Sequence, residues 1–354
     1  MSAATISSPR HSPARRSPDL EESPGEGGTL DTRRSGLRVA VLMGGPSAER
    51  PISLKSGAAV AAGLREAGHT VIEVDIVDRT IDAMPRDVDA AFLALHGEFG
   101  EDGGIQRLLE EAGIPYTGSG PAASEASMDK VATKRILDAA GIPTPAWEIL
   151  APGDVRERPL PAVVKPVRQG SSLGVHRVLT ASDWPAALNG ARQFGDELIV
   201  EAYIPGRELT VGLLGGEALP VVEIRAPGGW YDYRAKYSGG MTTYLVPAPL
   251  TAPEERTCRE LAERTFEALG CRGLGRVDFR MTADGRCYVL EMNTIPGFTA
   301  TSLLPKAAAA AGIGFADLCD RILKLALPPR TAPAGGSGPG NDSQEVATEQ
   351  CVGV

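Results

Sequence analysis

The chain has 354 residues, 42% of them hydrophobic, enough to bury a large core and, at typical domain sizes, to form two or three domains. A net charge of -9 with no long basic run argues against nucleic acid as a partner, and no apolar run reaches the ~20 residues of a membrane-crossing helix. The five cysteines, at 258, 271, 287, 319 and 351, have neither zinc-ligand spacing nor a compact disulfide pattern, which fits reduced thiols in the cytoplasm.

Residues 1–36 are rich in Ser, Pro, Arg and Glu and almost free of large apolar side chains. Such a segment cannot offset the entropy of folding and is expected to be disordered. It also lacks the hydrophobic centre of a signal peptide. The body, residues 37–327, opens with RVAVLMGG, a buried-strand pattern ending in glycines. PSAERPISLKSGAAVAAGLREAG follows as loop then helix, and VIEVDIV and AAFLALHG read as further apolar strands. Alternating strands and helices predict a parallel sheet covered on both faces, with ligands beyond the carboxyl ends of its strands. Gly44, Gly45, Glu49 and His96 fall there. A glycine pair after a strand is weak evidence by itself, and a lone histidine is more often a satisfied core group.

A helix is predicted over residues 123–140, stopped by Gly141 and Pro143. Lys130 and Lys134 on it are by default a solvated face. Next, LPAVVKP and GVHRVL read as strands flanking the loop VRQGSSLG. A Walker loop has a different residue order and leads into a helix. This loop is a different phosphate cradle, built from backbone N–H groups and hydroxyls, with Lys165 projecting from the preceding strand. Surface Ser-Gly hairpins are common, but they do not explain a lysine inside an apolar strand.

DELIVEAYIPGRELTVGLLGG supplies two more strands, in which Glu201 and Glu208 interrupt the apolar pattern and suit the adenine edge and ribose of a nucleotide. WYDYRAKYSGGMTTYLVPAPL has the aromatic and glycine-rich composition of a mobile lid. Residues 276–297, RVDFRMTADGRCYVLEMNTIPG, form two strands around an Asp284-Gly285 pair that favours a two-residue hairpin turn. That register sets Asp278 opposite Glu291 and Arg276 opposite Asn293, all on one face. Two carboxylates and a carboxamide offer hard oxygens that suit Mg²⁺ or Mn²⁺, and the guanidinium suits a phosphate or a developing oxyanion. The bland reading is a solvated face with a cross-strand ion pair; the irregular NTIPG exit beside these groups argues against it. TATSLLPKAAAAAG then starts a helix whose N-terminus attracts an anion, and residues 328–354 form a second tail expected to be disordered.

Taken together, VLMGGPSAER, ALHGEFGEDGGIQ, PYTGSG, MDKVATK, VVKPVRQGSSLGV, YDYRAKY, GRVDF and LEMNTIPGFTATSL make the chain resemble the D-alanine–D-alanine ligases of the ATP-grasp superfamily over essentially all of residues 37–327. The resemblance implies an α/β fold. A Rossmann-like (pre-ATP-grasp) parallel-sheet domain over residues 37–120 would precede a two-part α+β ATP-grasp domain. The central part would cover 121–202, and the C-terminal part, with lid and metal site, 203–327. It implies ATP-dependent ligation of two D-alanines through a D-alanyl phosphate, for peptidoglycan precursors, by a cytoplasmic homodimer.

Carried over residue by residue, the resemblance gives Asp278, Glu291 and Asn293 two Mg²⁺ or Mn²⁺ ions, with Glu291 bridging. Lys130, Lys165 and Lys236 would contact the ATP phosphates, under the loop Gly170, Ser171 and Ser172. Glu201 and Tyr203 would meet the adenine, and Glu208 the ribose. Glu49 would take the ammonium of the first D-alanine, and Ser171 and Tyr237 would bond with it to lock the lid. Arg276 and the Gly297 N–H would form the oxyanion site, and Ser302 would hold the second carboxylate. His96 is a further first-site contact. Two positions depart from the pattern: Ala202 replaces a common lysine beside the adenine, and Pro51 a common second glutamate. Ligases forming D-alanyl-D-lactate or D-alanyl-D-serine share this fold, although Lys236-Tyr237 matches the dipeptide-forming lid. An inactive nucleotide-binding regulator is the remaining alternative.

Overall fold

The computed structural model describes residues 36–231 and 242–327. Strands β1 (Arg38–Gly44), β2 (Thr70–Ile76) and β3 (Ala90–Leu93) form a parallel sheet in the order β2-β1-β3. Side chains alternate along β1, so the strand feeds two cores. Val39, Val41 and Met43 share one with Val60 and Leu64 of α1 (Arg50–Glu66) and Leu318 and Ile322 of α8 (Phe315–Ala326). Ala40 and Leu42 share the other with Ile105 and Leu109 of α2 (Gly104–Glu111). Helices therefore cover both faces, as the alternation of strand and helix implies. The C-terminal helix α8 closes the core of the N-terminal sheet.

The single helix predicted over 123–140 is two helices, α3 (Pro121–Met128) and α4 (Lys130–Ala139). Asp129 breaks them: its backbone is extended (φ -84°, ψ 106°) and its carboxylate accepts from Ala132 N–H at 2.9 Å. A short acid that bonds the backbone two or three residues on competes with helix continuation. The break also docks the chain, because Lys130 N–H bonds to Val167 O at 3.0 Å. Lys130 and Lys134 are consequently 7% and 0% exposed, not a solvated face.

Strands β4 (Trp147–Leu150), β5 (Ala162–Pro166), β6 (His176–Val178) and β7 (Leu198–Ala202) form an antiparallel sheet ordered β4-β7-β5-β6. Helix α5 (Trp184–Arg192) covers it through Ala187 and Ala191. The chain then changes sheet. At the corner Gly206 has φ 130° and lies so near Met281 that a Cβ would stand 2.0 Å from its carbonyl oxygen, so only glycine fits. Beyond it β8 (Arg207–Leu214) enters a third sheet with β9 (Glu217–Ala218), β10 (Val222–Arg225), β11 (Thr243–Leu245), β12 (Leu274–Met281) and β13 (Cys287–Asn293). Helix α6 (Ala252–Ala268), started by a Thr251–Glu254 capping box, buries one face of it against Val211, Val277, Phe279 and Val289. The polar side chains of the same strands are left on the opposite face.

The expected two-residue turn between β12 and β13 is a three-residue loop. Thr282 N–H bonds to Arg286 O at 2.9 Å, and Gly285 takes the left-handed conformation (φ 81°) that closes such a loop. This shifts the pairing near the turn, so that Phe279 faces Val289. A bulge between Asp278 and Phe279 in the register, with Leu290 as the extra residue, shifts it back. Asp278 thus does face Glu291, and Arg276 faces Asn293, for a reason that the turn alone does not supply.

Candidate active site

On the face of the third sheet away from α6, Arg276 grips Asp278 with two bonds, Nε at 2.8 Å and Nη2 at 2.7 Å. Thr210 Oγ1 donates to the same carboxylate at 2.6 Å. Burial disfavours the Arg276 charge, but Asp278 and Glu291 together hold its pKa above the ordinary value. Two of its guanidinium nitrogens are thus engaged by Asp278. Across the hairpin, Asn293 Oδ1 is buried with no hydrogen-bond partner, a costly state unless something else binds it. Among the described residues no group of three or more His, Cys, Asp or Glu side chains is placed to hold a metal ion. A metal held here therefore needs the carboxamide as a ligand beside Asp278 and Glu291. A carboxylate has about four acceptor positions, so Asp278 retains capacity after three bonds.

A buried chain of charge lies behind this hairpin. Lys165 Nζ stands 2.7 Å from Glu201 Oε2, and Lys134 Nζ 3.1 Å from Glu201 Oε1. Burial alone would raise the Glu201 carboxyl, but the two lysines more than offset it and hold it below the usual range. Burial likewise lowers Lys134, to about 8, against the pull of Glu201. Lys134 also donates to Thr144 Oγ1, which donates to Val289 O at 2.7 Å, tying α4 to β13. Sequence reading missed Lys134 because periodicity could not show that the helix breaks at Asp129 and turns this lysine inward. Lys130 Nζ bonds to Gln169 O at 2.6 Å, at the start of the Gly-Ser loop.

In that loop Ser171 and Ser172 have φ 49° and 59°, a region that costs a residue with a side chain about 1–2 kcal/mol. Ser171 Oγ donates to Glu49 Oε1, so the loop that was read as a phosphate cradle reaches the start of α1. Gly170 lies at the same place: a Cβ there would stand 3.3 Å from Glu49 Oε2.

Two cavities meet here. One is lined by Val163, Leu290, Tyr203 and Trp230 together with Lys165, Ser172 and Glu208. Arg177 stacks on both Tyr203 and Trp230, with 5.6 and 5.3 Å from guanidinium carbon to ring centroid. Flat apolar walls beside lysines and carboxylates suit a nucleoside phosphate. Glu208 is paired with Arg280 at 3.1 Å. The other cavity, about 440 Å³, is lined by Glu49, His96, Glu101, Arg276, Gly297 and Ser302. Lys130 and Glu291 line both. Ser302 sits at the N-cap of α7 (Leu303–Ala310), and its Oγ accepts from Thr299 N–H at 3.0 Å. A Cβ on Gly297 would come within 3.3 Å of that Oγ.

His96 is 5% exposed. Its Nδ1 lies 3.1 Å from Ile295 O, an acceptor only, so Nδ1 carries the proton and Nε2 accepts from Ser56 Oγ at 3.1 Å. Burial pushes its pKa down to about 4. Glu101, not singled out in the sequence, accepts from Gly97 N–H at 2.6 Å; burial first, then the Glu49 charge, holds its carboxyl well above the usual range. Lys236 and Tyr237 lie outside the described residues.

The family described as D-ala D-ala ligase C-terminus matches residues 136–324, and that described as D-ala D-ala ligase N-terminus matches residues 77–119. The D-alanine–D-alanine ligase of Aromatoleum aromaticum is 49% identical over 294 residues, covering 81% of this chain and 95% of the relative. The chain belongs to the D-alanine–D-alanine ligase family. The family member from Methylacidiphilum infernorum is 45% identical over 289 residues, covering 81% of this chain and 94% of its own. A crystal structure of the Bacillus anthracis D-alanine–D-alanine ligase complexed with ATP superposes with a TM-score of 0.73 at 34% identity, over 82% of this chain and 97% of that one. Against the family pattern, Ala202 lines the cavity walled by Tyr203 and Trp230, and Pro51 sits in the first turn of α1, where proline is tolerated.

Proposed function

We propose that the protein joins two D-alanines to D-alanyl-D-alanine at the expense of ATP, through a D-alanyl phosphate, for peptidoglycan precursors. One observation carries the reading: Lys130 and Glu291 line both the aromatic-walled cavity and the polar cavity, so a γ-phosphate and an amino-acid carboxylate can meet at their junction.

The first D-alanine binds by its ammonium to Glu49, and its carboxylate points to the junction. A carboxylate oxygen attacks the γ-phosphorus and ADP leaves. A carboxylate is a poor electrophile, and phosphorylation turns one of its oxygens into a good leaving group. Lys130 and Lys165 hold the phosphates, and Glu201 keeps Lys165 aimed. Glu201 and Tyr203 border the adenine, and Glu208 the ribose. The orphaned Asn293 oxygen and the neighbouring carboxylates fit divalent cations. Asp278, Glu291 and Asn293 would hold two Mg²⁺ or Mn²⁺ ions, which when bound neutralise charge on the transferring phosphoryl group.

Ser302 at the start of α7 orients the second carboxylate. The second substrate's ammonium loses a proton and the free amine attacks the acyl carbon. The oxyanion is met by Arg276 and the Gly297 N–H, and its collapse breaks the acyl carbon–oxygen bond and expels phosphate. Donors placed in advance at a developing oxyanion are worth about 3–4 kcal/mol each. Ser171, with Tyr237 and Lys236 of the lid, closes the site and keeps water from the acyl phosphate. In this reading the three sheets correspond to domains over residues 37–120, 121–202 and 203–327, in a cytoplasmic homodimer. Among the described residues no helix is long and apolar enough to cross a membrane. Phosphate release in the presence of ATP and D-alanine tests the assignment, and release that does not depend on D-alanine would sink it.

A further inference from the structure

Helix α1 carries buried serines one turn apart, Ser53 and Ser56, both 0% exposed. A serine inside a helix usually turns its hydroxyl back to its own backbone. These point outward. Ser53 Oγ accepts from Gly44 N–H at 2.8 Å and donates to Ala94 O at 2.7 Å, joining the ends of β1 and β3. Ser56 Oγ lies 3.1 Å from His96 Nε2 and accepts from Phe298 N–H at 3.2 Å. The tautomer derived above makes Ser56 the donor to His96, while His96 Nδ1–H bonds to Ile295 O. The irregular segment between Ile295 and Phe298 is thereby held at both ends, with Gly297 between.

We infer that Ser56 is a positioning residue for the ligation proposed above: it fixes the peptide segment that presents the Gly297 N–H to the reacting carbonyl. Phe298 also packs against Phe92 and Phe315, with centroids 5.8 and 5.6 Å away. Apolar contacts hold the ring but are non-directional, whereas hydrogen bonds set the tilt of the peptide planes. Glu49 is the N-cap of the same helix. At a rise of 1.5 Å per residue, the ammonium site and the Ser56 clamp are separated by a rigid span of about 10 Å. One helix thus fixes the first substrate's amine relative to the oxyanion donor.

The test compares Ser56→Ala with Ser53→Ala, an equally buried serine that touches no part of that segment. Ser56→Ala should lower kcat about 10- to 100-fold, the usual cost of a misplaced donor. Its KM for ATP should stay within about twofold, and its affinity for a phosphinate dipeptide analogue should fall with kcat. Ser53→Ala should lower the melting temperature to a similar degree but keep kcat within about threefold. Equal losses of kcat in both variants, or a Ser56→Ala enzyme at the parental rate, would overturn the inference. Should Ser56→Ala fail to fold, Ser56→Cys keeps a weak donor of similar size. It should turn over at an intermediate rate, and a parental rate would refute the clamp. An inactive parent protein would overturn the ligase reading and this inference with it.

Discussion

Replacing Lys134 by methionine removes one of two cations from a carboxylate that is 2% exposed while keeping a similar volume. Breaking a buried ion pair by deleting one partner typically costs about 3–5 kcal/mol, because the remaining charge is left without compensation. Glu201 retains Lys165 at 2.7 Å, so the expected loss lies near the lower end, about 3 kcal/mol. Losing Lys134 also removes its bond to the Thr144 hydroxyl, which still donates to Val289 O, and so loosens α4 from β13. Adding Glu201→Gln should lower stability further rather than restore it, because Lys165, 7% exposed, is then the buried charge left without a partner. The second change should not restore nucleotide affinity either, because Lys165 then has nothing to aim it. Urea unfolding gives the stability, and calorimetric titration with ATP gives the affinity. A Lys134→Met protein within about 0.5 kcal/mol of the parent would show that Glu201 does not need its second lysine, and the buried-charge argument would fail.

Glu291→Gln should reduce ligation by about a thousandfold or more, because an anionic group shared by both cavities is lost. The hairpin is paired by backbone, so the melting temperature should barely move; near-parental turnover would rule out the bridging role. Tyr237→Phe should cost about 1–3 kcal/mol in the dipeptide reaction if its hydroxyl seals a dry site. The same change should raise the ratio of depsipeptide to dipeptide when D-lactate and D-alanine compete, and an unchanged ratio and rate would dismiss the lid assignment. His96 stays neutral in the folded protein down to about 4, whereas it charges near 6.5 when unfolded. The unfolded chain therefore binds more protons between those values, and stability present above 6.5 is lost as pH falls, by roughly 3 kcal/mol. His96→Gln should show a shallower fall of urea midpoint from pH 7 to 4.5, and parallel curves for the two proteins would contradict this.

Strand periodicity was enough to read the parallel sheet, because β1 and β3 are buried on both sides, the edge strand β2 still buries Val74 and Ile76, and these patterns are purely local. The hairpin face was legible for a less secure reason. The loop is one residue longer than Asp284-Gly285 suggests, and the bulge at Leu290 compensates for it. The burial pattern of β13, in which Leu290 and Glu291 are both only partly covered, carries the trace of that bulge. Sequence hydropathy cannot show it, since Leu290 reads as one more core residue. The Lys134–Glu201–Lys165 chain was invisible because it joins residues far apart in sequence, and a lysine at helical spacing looks like any solvated lysine. The Ser56 clamp was hidden in the same way: only the fold brings α1, His96 and Phe298 together. Composition and motifs thus expose which groups do chemistry, while the groups that aim them are set by long-range contacts.

The central claim is that a carboxylate oxygen of D-alanine attacks ATP at the junction of the two cavities. Supplying ATP with D-alanine labelled in its carboxylate with ¹⁸O tests it directly, by mass spectrometry of the phosphate released. The account predicts one labelled oxygen in the phosphate for each D-alanyl-D-alanine formed, because the bond to the acyl carbon breaks when the second amine attacks. Phosphate without label, or phosphate formed without dipeptide, would contradict it.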